Sequence, residues 1–313
     1  MKQYAIKRIL TSVTIMWAVA TIVFVAMRVV PSDPAIVVLG DHASEQALRA
    51  FREEMGLDRP LLEQYVEFIT RLARGDLGRS MITNQPIAAQ IWSLFPYTLN
   101  LAIGSMLIGA FLGIPLGVWA AIRKNTAIDY VSRVVALAGF SFPAFYLGVV
   151  LLLVFSIKLG WFPILHQVRT GTLFEHIYKL TLPALSLGLI QASYVTRLTR
   201  SSMLEALNED WVRTAFAKGV RPRDVYFKHV LKNIMIPVVT AIGLYTGTIL
   251  GGAILTETVF NRPGLGKLLL GAIAQRDYNL IQSGLVVFAF IVVVVNLVVD
   301  LTYSLFDPRV KYE

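Results

Sequence analysis

EALNEDWVRTAFAKGVRPRDVYFKHVLKNIMIP, residues 205–237, is a charged stretch set between long apolar runs. Met203, Leu204, Leu207, Trp211, Val212, Ala215 and Phe216 recur at three- and four-residue intervals, while Glu205, Asn208, Glu209, Arg213 and Lys218 take the opposite side. That spacing predicts one amphipathic helix, because 3.6 residues per turn bring such positions onto a common face. Gly219 is placed to stop it, since a glycine just past a helix end turns left-handed without a Cβ clash. Pro222 is placed to open a second helix, where its missing N–H costs nothing. A second apolar stripe, Tyr226, Phe227, Val230, Leu231 and Ile234, carries that helix into the next apolar run. The turn Ala217–Asp224 (AKGVRPRD) is too polar for lipid, which favours docking in a groove of another protein over an amphipathic helix resting on a membrane surface.

The surrounding chain belongs to a membrane. Its 313 residues are 56% hydrophobic and only 16% charged, against about a quarter charged in soluble domains. A span needs about 20 mostly apolar residues. Six stretches qualify: Ile9 to Val30, Leu99 to Ile122, Val134 to Ile157, Leu180 to Leu198, Ile234 to Thr256, and Gln282 to Leu305. Gln191 and Ser193 interrupt the fourth, and Pro183 sits near its start. The Ala18-Val19-Ala20 triplet resembles a signal-peptide cleavage site, but the apolar run continues past it, so an uncleaved first span is the reading.

Basic residues set the orientation. Lys2, Lys7 and Arg8 precede the first span, and Arg123, Lys124 and Arg133 lie between the second and third. Residues 197–233 hold eight basic against four acidic side chains, whereas 31–96 hold six against nine. Both termini and the 205–237 stretch are therefore expected in the cytoplasm, and the 31–96 and 158–179 loops outside. The net charge of +9 is accounted for by these cytoplasmic flanks. With no cysteine, neither disulfide nor thiolate chemistry is open to the chain.

The 31–96 loop reads as folded. Ser44 caps a helix running through Met55, Gly56 stops it, Pro60 opens another, and Gly75 and Gly78 punctuate the chain beyond. Within the membrane, Gly109, Gly113 and Gly117, and likewise Gly243, Gly247 and Gly251, repeat every four residues, the pattern of closely packed helices in lipid. Pro115 and Pro143 are expected to kink their helices. Arg28, Arg197, Glu257 and Asp300 lie near span ends, where snorkelling or capping is the simplest reading.

These residues carry a family resemblance. Asp210-Trp211-Val212-Arg213-Thr214-Ala215, then Ala217-Lys218-Gly219, then His229 and Asn233 before Ile236-Pro237, resemble the coupling loop of dipeptide/oligopeptide/nickel-type ABC importer permeases. The general importer pattern is Glu-Ala-Ala, three residues, Gly, nine residues, Ile-x-Leu-Pro. Aligned on Gly219, this chain has Arg213-Thr214-Ala215 for the first triplet and His229, Leu231 and Lys232 for the last, departures of the peptide-type branch. Arg197-Leu198-Thr199-Arg200, Glu257-Thr258-Val259-Phe260, Pro263-Gly264-Leu265-Gly266, Arg276-Asp277-Tyr278, Asp307-Pro308-Arg309 and Gly56-Leu57-Asp58-Arg59-Pro60 extend the resemblance along the whole chain.

The resemblance implies an all-α polytopic protein of the bacterial cytoplasmic (inner) membrane. Six transmembrane helices would carry a cytoplasmic coupling helix pair and a small extracytoplasmic helical loop domain. The boundaries are 1–30 for the tail and first span, 31–96 for the loop domain, 97–305 for the permease core including the 199–233 loop, and 306–313 for the tail. The implied partners are a second related permease, two ABC ATPases and an extracytoplasmic solute-binding protein. The implied ATPase-coupling residues are Arg213, Thr214, Ala215, Lys218, Gly219, Arg221, Arg223, Asp224 and His229. The chain carries no phosphate loop of its own. Gly264-Leu265-Gly266-Lys267-Leu268 lacks the earlier glycine and the Mg²⁺-binding hydroxyl, so ATP and Mg are expected on partner subunits and no cofactor here. No catalytic residue and no metal ligand is expected, since His42, His166, His176 and His229 are scattered singles.

An ion-driven secondary carrier would need buried midplane charges, which the spans lack, and a scaffold recruiting partners through 205–233 is the other alternative. Asn100, Gln191, Tyr194 and Tyr245 are candidates for the translocation path from polarity and position. The cargo (di- or oligopeptide, glutathione, nickel or an opine) is not written in these residues.

Overall fold

The computed structural model describes residues 2–29, 34–40, 42–163 and 172–306. Val30, residues 31–33 and 41 of the first loop, residues 164–171 with His166, and the Asp307-Pro308-Arg309 ending lie outside the described residues. Among the described residues the chain is helical, with one isolated bridge between Arg79 and Pro86 and no strand. The helices are α1 (Lys2–Val29), α2 (Pro34–Leu39), α3 (Glu45–Glu54), α4 (Leu61–Ala73), α5 (Ile87–Ile122), α6 (Ala127–Ser141) and α7 (Ala144–Leu151), which runs into a π-helical turn (Leu152–Lys158). They continue as α8 (Leu173–Leu207), α9 (Asp210–Ala217), α10 (Pro222–Asp224) with a second π-helical turn (Val225–Val230), α11 (Leu231–Val259), α12 (Leu265–Gln275) and α13 (Tyr278–Phe306).

Among the described residues four helices are long and apolar enough to cross a membrane: Ile6–Val29, Ile87–Ile122, Pro222–Val259 and Tyr278–Asp300. The pair Ala127–Gly139 and Ala144–Lys158, bent by 103°, makes a fifth if it counts as one span. The expected fourth stretch lies inside α8, which is 35 residues long but too polar to meet the same measure. Pro143 does more than kink its helix. Phe142, the residue before it, is forced into the extended region at φ −95, ψ 132, and α6 and α7 separate there. Pro115, in contrast, lies inside the unbroken α5.

The contacts group the chain into two compact units, Tyr97–Pro263 with Val295 onward, and Lys2–Pro96 with Gly264–Val294. In the second unit α1 packs on α4. The Thr21 and Tyr65 hydroxyls meet at 2.8 Å, and Phe24 sets its ring against Tyr65 and Phe68. Arg28 does not snorkel to water. Its Nε and Nη2 donate to Gln64 Oε1 at 3.0 and 2.7 Å, and its guanidinium lies 4.9 Å over the Phe24 ring. Helix α3 begins on Ser44, whose Oγ accepts from Ala47 N, and ends at Gly56, left-handed at φ +66. Beyond α4, Gly78 N and Arg71 Nε both donate to Asp76, at 2.9 and 3.1 Å. The Gly78 hydrogen bond, reinforced by the Arg71 charge and opposed by partial burial, holds the Asp76 carboxyl below its usual range.

The same unit is fastened to the start of α13 by Asp277, which is buried and caps that helix. Its carboxylate accepts from the Ser80 hydroxyl, from Met81 N at 3.1 Å and from Leu280 N at 3.2 Å. Asn279 and Ser283 add side-chain donors to the Arg79 and Leu77 carbonyls.

In the first unit the small-residue stripe of α5 meets α8. A Cβ built on Gly109 would fall 2.7 Å from Gln191 Cγ. At Gly113 it would fall 2.6 Å from Val195 Cβ, and at Gly117 2.6 Å from Thr199 Cβ. Real side chains do not approach so closely, so any larger residue on this face would push α5 and α8 apart. On α11 the contact is shared by two of three. Gly243 abuts Val299 and Gly247 abuts Asn296 of α13, while Gly251 has nothing within 4 Å. Two buried carboxylates stand at opposite ends of α8 and α11. Asp129, near the start of α6, accepts two hydrogen bonds from Arg200, and Glu257, near the end of α11, accepts one from Thr98 at 2.6 Å. Glu257 has no exposed surface, so snorkelling is excluded for it as well.

Candidate functional site

The 205–237 stretch folds as a hairpin with one dry side and one wet side. Its first arm is not a single helix. Helix α8 runs on to Leu207, and the chain breaks at Asn208 and Glu209 before α9 restarts at Asp210. Asn208 turns its Nδ2 back onto the Leu204 carbonyl at 2.9 Å, and Val212 N bonds Glu209 O at 3.1 Å. Asparagine readily trades helix continuation for such local bonds. The three- and four-residue spacing runs straight through the break, which is why periodicity alone joins the two helices.

Gly219 ends α9 by a paired closure. Its own N–H bonds the Phe216 carbonyl at 2.9 Å, and Val220 N bonds Ala215 O at 3.2 Å, with Gly219 left-handed at φ +79. This is the arrangement in which an otherwise unpaired set of carbonyls at a helix end is satisfied. Pro222 then opens α10 with Arg221 N-terminal to it. The return arm is π-helical from Val225 to Val230 before it becomes α11, a local widening of the helix of the kind found at functional segments. Phe216 and Tyr226 meet edge to face at 6.3 Å and tie the two arms together.

The dry side is one buried cluster: Met203, Val212, Val225, Val230, Ile234, Val238 and Ile242 with Val118 and Ala121 of α5 and Val195 of α8. For a Val or Met of the hairpin that would otherwise meet water, such burial stabilises by about 1.5–3 kcal/mol. The hairpin is therefore seated on the ends of the long helices and is not a free arm. The wet side carries Arg213, Lys218, Arg221, Arg223, Lys228, His229 and Lys232, all exposed. Two are matched locally: Lys228 Nζ lies 2.8 Å from Asp224 Oδ1, and Arg213 Nη1 lies 3.4 Å from Asp210 Oδ1. Exposed pairs like these contribute little to folding, about 0–1 kcal/mol, so the charges remain available to a partner.

The residues anticipated for coupling thus divide. Arg213, Lys218, Gly219, Arg221, Arg223 and His229 face outward, Asp224 is half-buried beside Lys228, and Ala215 packs against the buried cluster. Thr214 is exposed but spends its hydroxyl on the Asp210 carbonyl at 2.9 Å. The polar residues anticipated along the path also divide. Tyr194 and Tyr245 stack at 5.0 Å with rings 16° apart. Gln191 is fully buried, with Nε2 donating to Ile242 O at 3.4 Å and Oε1 unpartnered. Asn100 is exposed and lines a separate cavity.

Two arrangements have no local sequence signal. Asp129 is buried beside Arg200, 71 residues away, and Glu257 beside Thr98, 159 away. A hint exists only in composition, since an acidic residue near an apolar span needs a partner.

Comparison with known proteins agrees with this architecture. Residues 113–312 match the family model described as binding-protein-dependent transport system inner membrane component, and residues 1–102 match its N-terminal companion. The chain is 40% identical, over all of both chains, to the dipeptide transport system permease protein DppB of Alkalihalophilus pseudofirmus. It is 41% identical, again over all of both chains, to the glutathione transport system permease protein GsiC of Escherichia coli K12. A di/tripeptide transport system permease protein of Pseudomonas aeruginosa is 39% identical over 95% of each chain. Among solved structures, a chain of the MetNI methionine ABC transporter superposes with a TM-score of 0.58 at 16% identity, covering 71% of this chain and 99% of its own. By these matches the chain belongs to the binding-protein-dependent transport system inner membrane components, the permease subunits of ABC importers.

Proposed function

We propose that this chain is one of two related permeases of an ATP-driven importer for short peptides, and that the 213–224 hairpin is the seat of an ATPase. The observation that carries the reading is the two-sidedness of the hairpin. Exposed Arg213, Lys218, Arg221 and Arg223 offer charge to a partner, while Val212, Val225 and Val230 lie in the same buried cluster as Val118 and Val195. A force applied to the wet side reaches the ends of α5 and α8 through packed side chains, which do not deform continuously. Nucleotide on the ATPases and a loaded binding protein outside then bias one two-state equilibrium from opposite sides.

The orientation follows from the basic flanks: both termini and the hairpin inside, the 31–96 and 158–179 loops outside. The peptide assignment rests on three relatives named for dipeptide, di/tripeptide and glutathione transport, all of them solutes with peptide bonds. Tyr194, Tyr245, Asn100 and Gln191 are assigned to the path. ATP and Mg belong to the partner chains.

The test is uptake of radiolabelled dialanine by proteoliposomes holding the chain, its sister permease, both ATPases and the binding protein. Uptake should need internal ATP and should disappear when the binding protein is withheld. Robust uptake by this chain alone, driven by a proton gradient, would overturn the proposal.

A further inference from the structure

A cavity of about 280 Å³ opens in the first unit between the early turns of α5, the first turns of α8 and the short segment after α11. Its polar lining is Asn100, His176, Lys179 and Arg262, set among apolar Ile103 and Leu107, and among the described residues no acidic one lines it. Arg262 is the unusual member. It is 5% exposed, its Nε has no hydrogen-bond partner, and its guanidinium lies 5.9 Å over the Tyr97 ring. Burial works against the charge and keeps this guanidinium's pKa below the ordinary value, with the nearby Glu257 carboxylate and then Tyr97 partly offsetting it. A buried cation with an unfilled donor is costly unless something supplies an acceptor.

Glu257 does not fill that role alone. Its Oε1 already accepts the Thr98 hydroxyl at 2.6 Å, and it is absent from the cavity lining. The guanidinium presents five donors in a planar fork that suits a carboxylate or a phosphate. Lys179 and His176 stand on the same rim of α8, where their positive or donor groups add to the field.

We infer that this cavity is a binding station for an anionic group, and that the group is the terminal carboxylate of the solute entering from the outer side. The inference rests on the peptide-importer reading above. The cavity supplies what a solute of variable side chains keeps constant, so one station serves many sequences while the apolar Ile103 and Leu107 wall accepts what lies beside the carboxylate. The uncompensated phosphate of an anionic lipid headgroup has the same chemistry, and the experiment separates the two.

The experiment uses the complete importer in proteoliposomes of neutral phosphatidylcholine and, separately, of phosphatidylcholine with phosphatidylglycerol. Uptake of dialanine is compared with uptake of dialanine amide for the wild type and for Arg262→Gln, Arg262→Lys and Lys179→Gln. The expected result is that wild type prefers the free acid, and that Arg262→Gln lowers its uptake about tenfold or more, the size of one charge-assisted hydrogen bond. Amide uptake should fall far less than acid uptake, Lys179→Gln should show the same selectivity more weakly, and Arg262→Lys should restore part of it. Equal losses for acid and amide in both Gln variants, or no loss in either, would overturn the inference while leaving the importer reading intact. A loss confined to vesicles with phosphatidylglycerol and common to both solutes would assign the cavity to an anionic lipid headgroup, and so overturn it too. Uptake of neither solute by the wild type would remove the peptide reading and this inference with it.

Discussion

Arg200 grips Asp129 with both edges of its guanidinium, Nε to Oδ1 at 2.6 Å and Nη2 to Oδ2 at 3.0 Å, and Asp129 has no exposed surface. Asn125 N adds a third donor at 2.9 Å, and Arg133 lies 3.4 Å from the same carboxylate. The pair binds the start of α6 to the part of α8 that leads into the hairpin. Removing Asp129 takes the acceptor from the partly buried Arg200 guanidinium, at about 1–3 kcal/mol. Asp129→Ala is expected to lower the thermal midpoint of the purified importer sharply. Asp129→Ala combined with Arg200→Ala should cost less than the two single changes summed. Additive losses in that cycle would show that the two side chains do not act as a unit.

Gly219 combines a left-handed backbone with open space, since nothing lies within 4 Å of a Cβ placed there. Any penalty for substitution is therefore conformational, about 1–2 kcal/mol for an ordinary residue and more for a β-branched one. Gly219→Val is expected to abolish coupled uptake while the protein still accumulates in the membrane. Gly219→Asn, which tolerates the conformation, should keep a large part of it. Immunoblots of membrane fractions alongside uptake assays separate misfolding from uncoupling.

The two glycine stripes make a contrasting prediction. Gly113→Ala would place a methyl 2.6 Å from Val195 Cβ and 2.8 Å from the Ala192 carbonyl, so the helices must part. Overpacking of this kind costs about 1–3 kcal/mol. Gly251→Ala meets nothing, and should be neutral or stabilising by up to about 1 kcal/mol through the lower entropy of the unfolded chain. Differential scanning fluorimetry on the two variants in one detergent would check the ordering, and a Gly251→Ala midpoint below that of Gly113→Ala would contradict it.

Asp76 carries a pH dependence whose sign is set by its depressed pKa. The folded segment binds its proton less readily than the unfolded chain, so the stabilisation is fully present above the ordinary carboxylate value. It is lost as pH falls through the depressed one. Between pH 7 and 5 limited proteolysis of the 74–86 segment should not change. Below the ordinary carboxylate range it should accelerate in the wild type, whereas Asp76→Asn should already be susceptible at neutral pH.

The signals legible in the sequence are mostly local. Gly219, Pro222, Ser44 and Gly56 announce their turns because the backbone geometry of a cap depends on one or two residues. The Gly109, Gly113 and Gly117 stripe is legible for the same reason, although nothing in it names Gln191, Val195 and Thr199 as its counterparts. The break at Asn208 and Glu209 escapes periodicity because apolar spacing continues across it. Ser80 with Asp277, 197 residues apart, and Thr98 with Glu257 escape because side-chain pairing across the fold leaves no trace in spacing. Helix α8 is too polar for an ordinary span because Gln191, Ser193 and Thr196 are buried against protein, where hydropathy penalises residues that the fold accommodates.

The division of the hairpin into a shared buried face and an outward charged face has a bearing on how such machines diversify. Arg213, Lys218, Arg221 and Arg223 are exposed, so on the reading proposed above their replacement would alter recognition of a particular ATPase without disturbing the buried cluster. Val212, Val225 and Val230 are locked into the cluster with α5 and α8. If the hairpin seats an ATPase as proposed, its inner face is constrained while its outer face is not, and a charge-swapped hairpin should accept a correspondingly swapped ATPase without redesign of the membrane helices.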